Sequence, residues 1–197
     1  MTGTEVDRIY REYSAASEYL FSNGEISLSS ALDSNSSKAV LMAAASYFER
    51  RLTDDLLNLC RELAGQNPLL PEIVKNKAIA RQYHTWFSWD KRNANTFFIM
   101  FGTQFKDYMD KRIKSDEGLD RSIVDFLEIG RERNRLVHEN FATFELTKTV
   151  EEIHTSYLSA LNFVNLVPIE MRKFSLGISA RQNAETTADR AAPATRK

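Results

Sequence analysis

Residues 131–140 read Arg-Glu-Arg-Asn-Arg-Leu-Val-His-Glu-Asn, and within them Arg133-Asn134-x-x-x-His138 sets a guanidinium, an amide and an imidazole inside about one and a half helical turns. That combination suits RNA cleavage by the RNA's own 2′-hydroxyl. Imidazole exchanges protons near neutral pH, so His138 can take the proton of the attacking hydroxyl or return one. A guanidinium stays charged and presents a fork of donors, so Arg133 can hold a phosphate that gains negative charge. Asn134 can orient either group, and Arg131 and Arg135 offer further phosphate contacts. The scheme needs no metal and no cofactor.

The spacing constrains the geometry. On a helix Asn134 and His138 lie about 40° apart, whereas Arg133 and His138 diverge by about 140°. A site shared across a symmetric dimer, or a helix that breaks at His138, relieves that divergence. The competing reading is a solvated face in which Arg131, Glu132, Arg133 and Arg135 form local ion pairs of little energetic worth.

The helix that must carry these groups begins near Gly118, with Leu119, Ile123, Phe126, Gly130 and Val137 on its buried face. Arg133 continues that series and so points toward the packed side, where a cation needs a partner. Upstream, the periodicity predicts a helix over 5–21 ended at Asn23-Gly24. A polar stretch over 25–37 offers N-caps for a long helix over 37–64, which Gly65 stops. Pro71 opens a helix to Trp89 through Ile73, Val74 and Ile79, and Asn93 and Asn95 bracket a turn. Short helices follow over 96–101, closed by Gly102, and around Phe105 to Ile113. Thr149 and Glu152 form a capping box for a last helix that ends near Pro168. From Ser175 onward large apolar residues are few, and we expect a disordered tail over 175–197.

The fold class is therefore all-α, a single domain over 1–174. The 197 residues are 43% hydrophobic with only 7 Gly and 4 Pro, and they contain no strand alternation, internal repeat or glycine-rich phosphate loop. Apolar segments are broken by charge before the ~20 residues that a membrane span needs. The first residues have no basic start followed by an apolar run, so we expect no secretory-type leader, and Cys60 as the single cysteine excludes an internal disulfide; on both grounds we expect a cytoplasmic location. The formal net charge is −1, and residues 172–197 contribute +4, leaving −5 for 1–171. Contact with RNA must be local. Lys91 and Arg92 beside Trp89 are candidates, although aromatic rings between Trp86 and Phe101 read first as core or dimer contact. His84 and His154 read as packing or surface residues.

With this motif late in an all-helical chain, the protein resembles the HEPN superfamily, whose signature is an Arg and a His with four to six residues between them and a polar residue, often Asn, directly after the Arg. The order of features is similar to that of RiboL-PSP-type members: an Ala-rich stretch with Glu in the second helix, here Ala43 to Glu49, then an Asn-containing turn before Phe101-Gly102. The resemblance covers residues 5–168. It implies a helical bundle that dimerises with its motif helices adjacent, and a metal-independent endoribonuclease, often a toxin or antiviral effector acting on tRNA or mRNA. Arg133 and His138 would be catalytic with Asn134 assisting. Glu49, beside the Phe48, Leu52 and Leu56 stripe, reads equally as the buried partner that Arg133 needs or as an exposed carboxylate paired with Arg50 or Lys38. Glu139-Asn140 departs from the small residue or Gly that often follows the His, which bears on efficiency. A noncatalytic HEPN-like module that binds RNA, a nucleotide or a protein stays open as the alternative. No antitoxin or sensor domain is recognisable in the chain, so restraint would come from a separate protein, a modification or a trigger.

Overall fold

The computed structural model describes residues 3–191, with side chains through 178. Among them are eight α-helices and no strand: α1 (Glu5–Ser22), α2 (Ile26–Ala64), α3 (Leu69–Val74), α4 (Tyr83–Trp86), α5 (Asn95–Ile99), α6 (Thr103–Lys114), α7 (Glu117–His138) and α8 (Val150–Ala191). A single π-helical turn, Lys75–Ile79, follows α3. Helices α1, α2, α7 and α8 form the bundle: α1 lies on α2, and α2, α7 and α8 pack mutually. No helix among the described residues is long and apolar enough to cross a membrane.

Local chemistry explains most boundaries. Thr4 and Asp7 cap α1 reciprocally, with Thr4 N–H donating to Asp7 Oδ2 at 2.6 Å and Asp7 N–H to Thr4 Oγ1 at 3.2 Å. Thr149 and Glu152 form the expected box at α8, with distances of 2.8 and 3.2 Å. Asp116 caps the motif helix α7 by accepting from Leu119 N–H at 3.0 Å.

Three expectations are corrected. Helix α2 starts at Ile26 rather than Ser37, because its serines do not act as caps. Ser36 and Ser37 turn their hydroxyls back to the carbonyls of Leu32 and Asp33, at 2.8 and 3.0 Å, which satisfies them inside the helix. Ser29 meets Ser17 of α1 at 3.0 Å, so small polar residues line the α1–α2 contact. Second, no continuous helix joins Pro71 to Trp89. The chain widens into the π turn, with Ala80 N–H on Lys75 C=O at 2.7 Å, and then breaks at Arg81, whose φ is +60°. The break folds Trp86 back so that its indole N–H reaches Ala78 C=O at 3.0 Å while the ring is buried. Ile73, expected on the apolar stripe, is consequently 60% exposed.

Third, α8 passes through Pro168 instead of ending there. An interior proline costs about 3 kcal/mol through its missing N–H and ring clash. Downstream contacts hold the helix to the bundle: Arg172 makes a two-pronged pair with Glu62 of α2, at 2.7 and 2.8 Å. The helical backbone continues past Ser175 to Ala191; the part of the expected tail over 192–197 lies outside the described residues.

Glu170 adds a buried polar clasp on the same stretch. It is only 2% exposed, accepts from the Tyr108 hydroxyl of α6 and from Lys173 Nζ at 2.9 Å, and lies 3.7 Å from Arg112. Burial pushes its carboxyl upward, but the Tyr108 and Lys173 hydrogen bonds and the two cations outweigh it and hold it below its ordinary value of 4.5. The Tyr108 phenol is correspondingly pushed up to about 12, chiefly by that hydrogen bond and then by burial. A folded-state value lowered in this way contributes stability that is complete above the unfolded value and is lost as pH falls through the folded one. Glu170→Gln is therefore expected to flatten the loss of stability below about pH 4.5, read from urea unfolding at neutral and acid pH. An unchanged acid limb would refute this role.

The core continues into the functional end of the bundle through its aromatic rings. Phe126 of α7 meets Phe48 of α2 at 5.4 Å, Phe163 of α8 at 5.1 Å and Phe87 at 4.9 Å. Trp86, Phe87, Phe97 and Phe98 are buried, so most of the aromatic region is core, as the spacing suggested.

Candidate active site

Past Phe126 the core face of α7 opens into a cavity of about 520 Å³. Helix α7 supplies Gly130, Arg133, Asn134 and His138; α2 supplies Phe48 and Glu49; and the segment after the π turn supplies Arg81, Tyr83, His84 and Trp89. The opening explains a misplaced residue. Val137, expected in the core, is 44% exposed because the face it shares has run out of packing, whereas Leu136 on the adjoining face is 2% exposed.

Gly130 makes this wall possible. The Trp89 ring lies so close to the helix that a Cβ at position 130 would stand 1.9 Å from Cζ3 and 2.1 Å from Cε3. Trp89 is fixed from the other side as well: its indole N–H donates to His84 C=O at 3.0 Å, and its ring meets Phe87 at 5.1 Å and Tyr83 at 5.6 Å. A missing side chain thus docks the 81–89 segment against the motif.

Arg133 is half-buried, as its place in the apolar series required, and its Nη1 donates to Asn134 Oδ1 at 3.2 Å. Glu49 lines the same cavity but is exposed rather than buried, and among the described residues no ion pair joins it to Arg133. Both charges act on Tyr83. Burial raises its phenol far above the ordinary range, the Glu49 carboxylate raises it further, and Arg133 opposes them. Tyr83 therefore stays a neutral hydroxyl.

His138 is the last residue of α7, and the chain turns extended at Glu139. The helix thus ends at His138, one of the two arrangements the spacing left open, and all three motif side chains border one cavity within a single chain. The departing loop is tied down. Lys38 of α2, 4% exposed, donates to Phe141 C=O at 2.9 Å and sits 4.9 Å from the centre of its ring. Asn140 turns the loop by accepting from Ala142 N–H at 3.0 Å.

The other expected basic contacts fall elsewhere. Arg131 and Arg135 flank Glu132, at 3.1 and 2.9 Å, and form the locally paired solvated face. Lys91 and Arg92 line a neighbouring groove on the far side of Trp89, together with Arg131 and several carboxylates. His154 is structural: it stacks on Tyr10 at 3.9 Å and meets Asp7 at 2.8 Å. His84, read from sequence as packing or surface, is exposed on the cavity's edge. No local pattern announces Arg81, Tyr83 and His84 as cavity residues, because their place depends on the helix break.

An all-α bundle with this motif closing a long inner helix defines a protein of the HEPN class. The family model described as RiboL-PSP-HEPN matches residues 7–171, and the chain belongs to that family. No curated protein and no solved structure matches it.

Proposed function

We propose that this protein is a metal-independent endoribonuclease that cleaves RNA through attack by the 2′-hydroxyl. The carrying observation is that Arg133, Asn134 and His138 border one cavity at the end of α7, of a size usual for ligand sites. His138 moves the proton, as base or acid. Arg133 balances the charge that grows on phosphorus-bound oxygen, and Asn134, already bonded to Arg133, holds it in place. Glu49, which borders the same cavity without pairing with Arg133, adds a negative charge to its rim. Lys91 and Arg92, with no side-chain partner among the described residues, extend contact to the RNA backbone.

The family supports a homodimer with motif helices adjacent, and exposed Val137 and Phe141 beside His138 give a second copy apolar surface to cover. A toxin or antiviral defence effector acting on tRNA or mRNA, restrained by a separate antitoxin or regulator, accords with such chemistry. The test is incubation of purified protein with total RNA and tRNA in EDTA, followed by analysis of the ends. Products should carry 2′,3′-cyclic phosphate or 3′-phosphate. Ends bearing 3′-hydroxyl, or an absolute need for divalent metal, would reject the mechanism. A folded dimer that binds RNA or a nucleotide without cutting would establish the noncatalytic module instead.

A further inference from the structure

We propose that His84 is the second proton-transfer group of this cavity, paired with His138, and that Arg81 beside it is a second phosphate contact. The inference rests on the ribonuclease reading and deepens it. Attack forms a 2′-O–P bond and breaks P–O5′; one proton leaves the 2′-hydroxyl and another must reach O5′ as it departs. The two transfers occur on opposite sides of phosphorus, so two imidazoles divide the work: one accepts, the other donates, and the proton count is unchanged.

The chain has three histidines. His154 is held between Tyr10 and Asp7, but the other two border the motif cavity. The imidazole of His84 has no hydrogen bond or ion pair among the described residues, while its carbonyl is held by the Trp89 indole. The backbone is thus fixed and the ring is free to meet a substrate. Arg81 reaches the same cavity from a left-handed conformation, φ +60°, that a non-glycine residue rarely adopts and that costs energy to maintain. It too has no side-chain ion pair among the described residues. The charged and titratable groups facing His84 are Glu49 from α2, Arg81 and Tyr83 from its own segment, and Arg133 and His138 from α7.

The test compares pH–rate profiles of wild type, His84→Gln, His84→Asn and His138→Ala on an RNA oligonucleotide and on uridine 3′-(4-nitrophenyl phosphate), whose leaving group needs no proton. His84 is exposed, so matched circular dichroism is expected for its variants. The expected result is a kcat on RNA lowered about 10²- to 10⁴-fold in both His84 variants, with one limb of the bell-shaped profile lost. His138→Ala should lose the other limb, and only the variant missing the acid should recover on the nitrophenyl ester. Retention of both limbs in the His84 variants, whatever their rate, would overturn the inference while leaving the ribonuclease reading intact and assigning the second group to the partner copy's motif. A wild type without metal-free cleavage would overturn both.

Discussion

Replacing His138 or Arg133 with alanine is expected to lower metal-free RNA cleavage by two or more orders of magnitude, with little change in the folded state. Loss of a positioned acid or base typically costs about 10²- to 10⁴-fold. Loss of a preorganised donor to a charged transition state costs about 10²- to 10³-fold. His138 is exposed at the end of α7 and bonds no other side chain among the described residues, so its removal leaves packing intact. Both effects should fall on kcat and kcat/KM together, because the interactions strengthen as charge develops. Arg133→Lys should recover only part of the loss, since an ammonium keeps the charge without the guanidinium fork. Arg131→Ala and Arg135→Ala are the controls: each removes an arginine already engaged with Glu132 and should change the rate little. Equal effects across the four alanine variants would point to general electrostatic binding and against a catalytic motif.

The second large effect belongs to a residue with no chemistry of its own. Gly130→Val should destabilise the protein and deform the cavity, because even the first carbon of a side chain would lie 1.9 Å from the Trp89 ring. The ring cannot yield cheaply, being packed on Phe87 and Phe126 and hydrogen-bonded to His84 C=O. Overpacking of this kind costs about 1–3 kcal/mol. Gly130→Ala regains about 1 kcal/mol of helix propensity and so shows a smaller net loss. Thermal unfolding reads the stability, and tryptophan fluorescence reads the displacement of the indole. Combining Gly130→Ala with Trp89→Ala should cost less than the sum of the two, since the second change removes the clash. Strict additivity would mean that the two residues do not meet.

Most long elements are legible in the sequence alone. The series Leu119, Ile123, Phe126 and Gly130 placed α7 and turned Arg133 inward, and the Thr149–Glu152 box marked the start of α8. These are local signals, carried by side-chain period and by hydrogen bonds spanning three or four residues. The misread segments obey longer-range forces. Serines that favour caps in isolation stayed inside α2, where Ser36 and Ser37 bond back to the helix's own carbonyls and Ser29 meets Ser17 of α1, and Pro168 stayed inside α8, where Arg172 reaches Glu62 on α2.

By itself the sequence determined the all-α class, the helix that bears the motif and the chemistry its Arg, Asn and His can perform. Tertiary structure alone decided what surrounds them. The break at Arg81 and the missing side chain at Gly130 bring Arg81, Tyr83, His84 and Trp89 to the motif, leave Glu49 exposed and set Lys91 and Arg92 in a separate groove. The physical reason is range: helical period encodes which face of a segment is apolar, whereas the docking of one segment on another depends on a ring and a helix meeting across residues 89 and 130, which no local pattern can specify.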